Sequence, residues 1–349
     1  MHHPTTPTKE VHFALLNAPY LPNHSRKWHR AWRTDMGFRT FVLALAVTLL
    51  AMPSIAQTPA PATDPGPPLS GYPRKALGLP TPAELKTATY VRDVIYGHRD
   101  GMALTYDVFK PLKPNGALVV NMVSAGWNSS WGAPEERQAR YQVLIDRGFT
   151  VVALYHSSAP RFKVPDAVRD VRLGMRHIKL HAADYGADPA RIGVWGASAG
   201  GHLSLVAGLM ADDGDPAAAN PLERSGNRIG AVVAYFPPTD LDVLLGARAK
   251  SGAIDFDDGL RASISPIHFV DARDPPTLII SGGADKGVPI SQSETMHAAL
   301  DKAGVENRLK IFPDADHDFY VKGDPKKTDG YAVEAMNAMA EWFEKHLKK

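Results

Sequence analysis

A serine stands between closely spaced glycines at residues 196–200, which read Gly-Ala-Ser-Ala-Gly. This spacing is typical of a nucleophilic serine on a sharp strand-to-helix turn, where the backbone is strained and larger neighbouring side chains would clash. The five-residue pattern alone arises by chance in about one chain in ten. Here a predicted buried strand at 191–195 precedes it and a predicted apolar helix at 199–210 follows it. The sequence therefore predicts that Ser198 is a nucleophile.

A serine hydroxyl is a weak nucleophile and requires a base within hydrogen-bond reach. Where a serine occupies such a turn, the acid and then the histidine of the catalytic group come later in the chain. The histidines that follow the serine are His268, His297, His317 and His346. We predict that His317 is the base, because it falls in a loop between the last predicted strand and the last predicted helix. The other three fall in predicted helices or in an irregular segment.

The acid should follow the strand that precedes the histidine-bearing one. The predicted strand at 277–281 runs into Gly-Gly-Ala-Asp, which places Asp285 at its carboxyl end. An acid there would fix the tautomer of the imidazole and stabilise the imidazolium as it forms. We predict Asp285 for this role. The aspartates that flank the histidine remain rival acids: Asp314, Asp316 and Asp318.

Buried strands alternate with helices from about residue 88 onwards. Strands are predicted at 90–96, 103–109, 117–123, 150–155, 191–195, 231–236, 277–281 and 308–312. Helices are predicted from 134 to before 148 and at 168–185, 199–210, 291–303 and 332–347. This alternation predicts an α/β domain at 88–349, with a mostly parallel central sheet covered by helices on both faces. Residues 237–270 interrupt the alternation and are predicted to be a small lid insertion.

An apolar run at residues 41–51 is preceded by Arg39 and followed by Ser-Ile-Ala at 54–56. The run is too short to span a bilayer comfortably. The layout is typical of a secretory signal peptide at 36–56 that is cut after Ala56. We therefore expect a periplasmic or secreted protein with no membrane span after signal cleavage.

A signal peptide should begin a chain, yet residues 1–35 precede Met36. We predict that Met36 is the true start and that residues 1–35 are a non-native N-terminal extension. Residues 57–82 are rich in proline and are predicted to be an extended linker.

The composition limits the chemistry. The chain of 349 residues contains no cysteine, which excludes disulfides, thiolate catalysis and thiolate-bound zinc or iron–sulfur clusters. It carries 39 basic and 37 acidic side chains, without a basic cluster, so we expect no nucleic-acid partner. The sequence predicts no cofactor and no metal, and it does not determine the oligomeric state.

Two segments of the sequence resemble a known family. Residues 196–203 read Gly-Ala-Ser-Ala-Gly-Gly-His-Leu, and Asp-Pro-Ala-Arg-Ile at 188–192 precedes them. Residues 275–280 read Pro-Pro-Thr-Leu-Ile-Ile and are followed at 285–289 by Asp-Lys-Gly-Val-Pro. They are similar to the nucleophile and acid segments of the esterase/lipase branch of α/β-hydrolases, related to feruloyl and acetyl esterases of the BD-FAE type.

This resemblance covers about residues 90–347. It implies an α/β-hydrolase fold, and it assigns the catalytic triad to Ser198, Asp285 and His317, the same residues that the order along the chain indicates. Its motifs are specific for the fold and the catalytic machinery, and they say little about the substrate.

The family usually carries His-Gly-Gly-Gly and then Trp after an early strand, whereas residues 123–127 here read Val-Ser-Ala-Gly-Trp. An oxyanion hole works through main-chain N–H groups, each worth about 3 kcal/mol, so the altered side chains do not abolish it. We predict that Ala199 and Gly126 supply these N–H groups. Ala125 is a third candidate, and the register is open by one residue. Trp127 is predicted either to line a substrate pocket or to join the core.

His202 follows the serine by one helical turn. A metal ligand would need partner ligands at suitable spacing, and the sequence offers none. We therefore predict that His202 is a buried, hydrogen-bonded structural histidine.

Together these residues predict an exported serine hydrolase that cleaves carboxylic esters through an acyl-enzyme intermediate. A prolyl-oligopeptidase-like peptidase shares the triad and its order, but such enzymes usually carry a propeller domain, for which the stretch before Thr89 is too short. A non-catalytic binding module on a hydrolase fold is a further alternative, motivated by the altered oxyanion segment. The expected partner is a small-molecule or polysaccharide-linked ester, for instance an acetylated or feruloylated plant polysaccharide.

Overall fold

The structure, a computed structural model, describes residues 87–246, 248 and 250–348. The predictions for the N-terminal extension at 1–35, the signal peptide at 36–56 and the linker at 57–82 lie outside these residues. Among the described residues, no helix combines the length and the apolar character that crossing a membrane requires.

Within the described part of the chain, eight strands form a sheet in the order β1-β2-β4-β3-β5-β6-β7-β8. The strands are β1 (Ala88–Arg99), β2 (Met102–Pro111), β3 (Leu118–Met122), β4 (Thr150–Leu154), β5 (Ile192–Ala197), β6 (Ala231–Tyr235), β7 (Thr277–Gly282) and β8 (Asn307–Phe312). β1 and β2 form an antiparallel hairpin, and β2 pairs antiparallel with β4. The remaining pairings are parallel. The prediction of a mostly parallel sheet is confirmed.

Helices cover the two faces of this sheet. They are α1 (Pro134–Ile145), α2 (Val164–Leu180), α3 (Ala199–Leu209), α4 (Leu241–Leu245), α5 (Ser291–Ala303) and α6 (Pro325–Leu347). Apolar residues of α2, α3 and α5 pack on one face, and those of α1 and α6 pack on the other. Val120 of β3 belongs to the first core and Val119 to the second, because successive side chains of a strand point to opposite faces.

Two helices begin earlier than the sequence predicts. α2 begins at Val164 rather than near residue 168, because the Asp166 carboxylate accepts a hydrogen bond from the N–H of Lys163 and closes the first turn. α6 begins at Pro325 rather than near residue 332, since the side chain of Asp324 caps it by accepting from the N–H of Lys327. These first turns are polar, and an apolar stripe does not reveal them.

Residues 237–270 contain α4 and several short 3-10 turns. The segment is attached to α5 through Gln292, whose Oε1 accepts hydrogen bonds from the N–H groups of Thr239 and Asp240 at 2.8 Å each. Asp240 also caps α4 by accepting from the N–H of Val243 at 3.0 Å. The role of this segment as a lid stays a prediction.

Candidate active site

Ser198 lies on the turn between β5 and α3, with a φ of 54° and a ψ of −120°. Its neighbouring glycines allow the backbone to approach closely. A Cβ at Gly196 would lie 2.4 Å from the carbonyl oxygen of Gly200, and one at Gly200 would lie 2.5 Å from that of Met122. Any larger residue at either position would therefore have to move main-chain atoms. The turn places the serine at the carboxyl end of the central strand β5.

His317 lies in the loop after β8, and its side chain contacts this serine. Its Nε2 lies 3.1 Å from Ser198 Oγ, and its Nδ1 lies 2.7 Å from Oδ2 of Asp285. The short distance to the carboxylate indicates that Nδ1–H donates to Asp285, which leaves Nε2 to accept the hydrogen bond of the serine hydroxyl. The structure thus brings the three residues predicted for the triad into one hydrogen-bonded chain.

Asp285 stands in the loop after β7, and its carboxylate is fully buried. Oδ1 accepts hydrogen bonds from the N–H groups of Gly287 and Val288 at 2.8 Å each, while Oδ2 faces His317. Main-chain donors thus hold one oxygen of the carboxylate, so the other is aimed at the imidazole. A buried, hydrogen-bonded carboxylate in this position can fix the tautomer of the base.

Two of the rival acids, Asp316 and Asp318, act on the imidazole through their charge, while Asp285 is its hydrogen-bond partner. Burial lowers the pKa of His317, but the hydrogen bond and charge of Asp285, followed by the charges of Asp318 and Asp316, outweigh it and leave the pKa raised. Asp316 Oδ1 accepts from the N–H groups of Lys286 at 3.0 Å and His317 at 2.8 Å. Asp316 therefore joins the loop that carries the acid to the loop that carries the base.

The third rival acid, Asp314, and one of the other candidate histidines, His297, have other partners. Asp314 contacts Lys327 and Tyr331 on α6 at 2.5 and 2.7 Å. His297 contacts Asn307. Both are held by contacts away from the serine, whereas His317 is the candidate histidine that hydrogen-bonds to Ser198.

A fully buried phenylalanine, Phe236, lies against the catalytic imidazole, and the sequence reasoning did not single it out. It follows β6 directly, and its ring centroid is 4.5 Å from that of His317. Its φ is 35°, a conformation that aromatic residues seldom adopt. Phe319 packs edge-on against the ring of Phe236, with centroids 5.0 Å apart. The position of Phe236 at the carboxyl end of a central strand is the sequence feature that could have indicated a place near the catalytic residues.

The segment predicted to contribute to the oxyanion hole forms a tight two-residue turn. The N–H and carbonyl groups of Ala125 and Asn128 pair in both directions at 2.9 Å. Gly126 and Trp127 occupy the turn, with φ values of 53° and 57°. The prediction that Ala125 supplies an oxyanion donor is therefore wrong, because its N–H already donates to Asn128. The N–H of Gly126 takes no part in this pairing, so its role as an oxyanion donor stays a prediction.

Ala199 is the first residue of α3, so no preceding helical turn supplies an acceptor for its N–H. That N–H group stands at the positive end of the helix, next to the nucleophile. An oxyanion formed on a substrate bound to Ser198 would find this donor in place. The arrangement is compatible with the prediction for Ala199.

Of the two interpretations open for Trp127, the structure supports the core. The side chain is 7% exposed, and its Nε1–H donates to Nδ1 of His202 at 3.0 Å. The interpretation that the indole lines an open substrate pocket is not supported, because its polar edge already has a protein partner. His202 is fully buried, and its Nε2 bonds to the carbonyl oxygen of Ile264 at 2.8 Å. This is the structural histidine that the sequence predicts.

A group of potential metal ligands lies elsewhere on the described surface. Asp240, Asp242 and His268 can bring ligand atoms within 4.8 Å of one another. Asp240 is already engaged as the cap of α4. Asp242 and His268 are exposed, and such groups commonly occur on surfaces without a bound ion.

The order of the strands, together with a serine after β5, an acid after β7 and a histidine after β8, defines an α/β-hydrolase fold. Residues 106–300 match the family model BD-FAE, and the chain belongs to that family. The resemblance seen in the sequence is confirmed.

Curated and solved proteins agree with this assignment. The chain is 30% identical over 205 residues to esterase LipQ of Mycobacterium tuberculosis (strain ATCC 25618 / H37Rv), which covers 54% of this chain and 48% of LipQ. The chain spans about half the length of the curated relatives that it matches. The native structure of the thermophilic esterase Est2 from Thermogutta terrifontis is 26% identical, with a TM-score of 0.59, and covers 75% of this chain and 92% of Est2.

A truncated carbohydrate esterase from gut microbiota shares the fold. It is 24% identical, with a TM-score of 0.60 over 77% of this chain and 100% of that protein. At this level of identity, the likeness supports the fold of the chain and not its substrate.

Proposed function

We propose that this protein is a serine hydrolase that cleaves carboxylic esters. The observation that carries the proposal is the hydrogen-bonded chain from Ser198 Oγ through the imidazole of His317 to the buried carboxylate of Asp285. Membership of the BD-FAE family and the esterase names of the relatives support the same reaction class.

In the proposed reaction, His317 Nε2 takes the proton of Ser198 as Oγ attacks the carbonyl carbon of the ester. The carbonyl oxygen becomes an oxyanion, and the imidazole becomes an imidazolium that faces Asp285. Nε2–H then protonates the leaving alkoxide, which departs as the alcohol. Water, activated by the same imidazole, attacks the acyl-enzyme and releases the carboxylic acid.

We propose that the N–H groups of Ala199 and Gly126 stabilise the oxyanion. Both belong to main chain that does not depend on the histidine and glycines missing from residues 123–127. Each well-placed donor contributes about 3 kcal/mol to transition-state binding. An oxyanion hole of this kind is therefore compatible with the altered sequence.

The proposed substrate is a small-molecule ester or an ester-linked group on a polysaccharide, with an acetyl or a feruloyl group as the acyl part. Membership of the BD-FAE family supports this substrate class. We also propose that the protein is exported, by way of the signal peptide predicted at 36–56. N-terminal sequencing of the protein from its native host should find Gln57 as the first residue, and a mature chain that begins before residue 40 would contradict this.

The activity is tested with a fluorophosphonate probe and a panel of aryl esters that carry acetyl, butyryl, long-chain and feruloyl groups. We expect the full chain to be labelled and to hydrolyse the short-chain or feruloyl esters, while Ser198→Ala abolishes labelling and hydrolysis. Ser204→Ala is the matched control, because this hydroxyl lies on the same helix and donates to the carbonyl of Gly200. Its activity should remain near that of the wild type.

The outcomes distinguish the alternatives. Cleavage of peptidyl substrates in preference to esters would favour a prolyl-oligopeptidase-like peptidase. A folded wild-type protein that neither reacts with the probe nor hydrolyses any ester would favour a binding module and would overturn the proposal.

A further inference from the structure

The side chain of Trp127 links the two-residue turn between Ala125 and Asn128 to α3, the helix that follows Ser198. Its Nε1–H donates to His202 Nδ1 at 3.0 Å, and the two rings meet edge to face with centroids 5.6 Å apart. His202 Nε2–H in turn donates to the carbonyl oxygen of Ile264 at 2.8 Å. These two bonds define a neutral imidazole that accepts through Nδ1 and donates through Nε2.

The turn that carries Gly126 requires such support. Tight turns with positive φ at both central positions favour glycine, asparagine or aspartate, and an aromatic side chain is unfavourable there. Trp127 nevertheless adopts a φ of 57° at the second position. Backbone strain of this kind persists where tertiary contacts determine the conformation.

His202 is well placed to supply this contact because it belongs to α3. Its own N–H donates to the carbonyl oxygen of Ser198 at 3.0 Å, one turn after the nucleophile. The bond from Trp127 to His202 therefore connects the turn with Gly126 to the helix that begins with Ala199. It thus joins the two segments that carry the N–H groups proposed to stabilise the oxyanion.

The other end of the segment is held in a similar way. Ser124 Oγ lies 2.9 Å from Nε2 of the buried His156, whose Nδ1 lies 2.7 Å from the carbonyl oxygen of Ser157. With Nδ1–H donating to that carbonyl, Nε2 is left to accept from the serine hydroxyl. Ser124 is thus fixed on one side of Gly126, and the bond from Trp127 to His202 holds the residue on its other side.

We propose that Trp127 and His202 are positioning residues for the oxyanion hole, and that Ile264 extends their hydrogen-bonded chain into the insertion at 237–270. This inference rests on the proposed function. A donor that is misplaced by a fraction of an ångström weakens transition-state binding while leaving ground-state binding nearly unchanged. The expected signature is a loss in kcat with little change in KM.

Two substitutions of His202 separate the bond to the turn from the bond to the insertion. His202→Asn keeps an acceptor near the position of Nδ1 and loses the donor to Ile264. His202→Gln keeps a donor near the position of Nε2 and loses the acceptor for Trp127. We expect His202→Gln and Trp127→Phe to lower kcat about tenfold or more with KM within about threefold, and His202→Asn to retain most of kcat.

Tyr141→Phe is the control for the loss of a buried hydrogen bond. Its hydroxyl donates to Asn121 Oδ1 at 3.0 Å in the other core, so the variant should lose thermal stability and keep kcat. Equal kcat values for His202→Asn, His202→Gln and the wild type, with all variants folded, would overturn the inference.

A second measurement does not depend on activity. In the ¹⁵N spectrum of the tryptophan indoles, the Trp127 Nε1–H signal, assigned from its absence in Trp127→Phe, should exchange with solvent faster in His202→Gln than in His202→Asn. Equal exchange in the two variants would contradict the link. A wild type without esterase activity would instead overturn the proposed function, whatever the exchange rates.

Discussion

The ring of Phe236 packs against the imidazole of His317, with 4.5 Å between the centroids and 59° between the ring planes. Phe236 is held by its backbone, since its N–H donates to the carbonyl oxygen of Ile280 on β7 at 2.8 Å. It is fixed on its other side by Phe319, two residues after the histidine. The base is therefore oriented by an apolar contact as well as by its carboxylate partner.

We expect Phe236→Leu to lower kcat at least about threefold, because the smaller side chain leaves the imidazole free to rotate away from Ser198. The variant should also lose about 1 kcal/mol of unfolding free energy, since part of a buried ring is removed. Steady-state kinetics and urea unfolding measure the two effects. Phe149→Leu is the matched control, because Phe149 is fully buried against Phe343. It should destabilise the fold with kcat unchanged, and equal kcat values in the two variants would contradict a positioning role for Phe236.

Asp285→Asn should reduce kcat by a factor on the order of 10³ to 10⁴, because an amide at this position favours the wrong tautomer of His317. Asp318→Asn tests the rival acid. Burial raises the pKa of Asp318, and this carboxyl shares the surroundings of the imidazole. We expect a loss below about tenfold for that variant. If Asp318→Asn were the more damaging change, the acid would have been assigned to the wrong residue.

The order of elements explains how much of the site could be predicted. Carboxyl ends of parallel strands meet at one edge of a sheet, so residues that follow β5, β7 and β8 converge however far apart they lie in the chain. Ser198 and His317 are separated by 119 positions and still lie 3.1 Å apart. Strand pattern and residue type were therefore sufficient to place Ser198, Asp285 and His317.

The contacts that the sequence did not reveal depend on tertiary geometry. Whether Ala125 N–H is available depends on its pairing with Asn128 across a two-residue turn. The partner of Trp127 is a histidine 75 positions away. The packing of Phe236 on the imidazole requires a positive φ that an aromatic residue does not suggest. Such features arise when several elements pack together, and local patterns do not encode them.

Asp316→Asn should shift the acidic limb of the profile of kcat/KM against pH towards lower pH. The base acts as a neutral imidazole, so activity falls as His317 becomes protonated. Burial lowers the pKa of His317, and the hydrogen bond and charge of Asp285 with the charges of Asp318 and Asp316 raise it more. Removing the charge of Asp316 makes the imidazolium less stable, which lowers this pKa.

The matched control for this change is Asp314→Asn. It removes a charge from the same loop, but the Asp314 carboxylate pairs with Lys327 on α6, whereas the charges that raise the pKa of His317 most are those of Asp285, Asp318 and Asp316. Its acidic limb should coincide with that of the wild type. Identical shifts in Asp316→Asn and Asp314→Asn would indicate a general charge effect and would contradict a specific action of Asp316.

The neutral state of His202 should make stability depend on pH. Burial lowers the pKa of His202 to about 4, and the hydrogen bond to Ile264 offsets this in part. Its unfolded pKa is about 6.5, so its contribution is complete above that pH and is lost as the pH falls towards 4. Between pH 7 and 4.5, urea unfolding should show that the wild type loses about 2 to 3 kcal/mol more than His202→Asn, which has no group to titrate there. Parallel losses would mean that the folded protein accommodates a charged imidazole at this position.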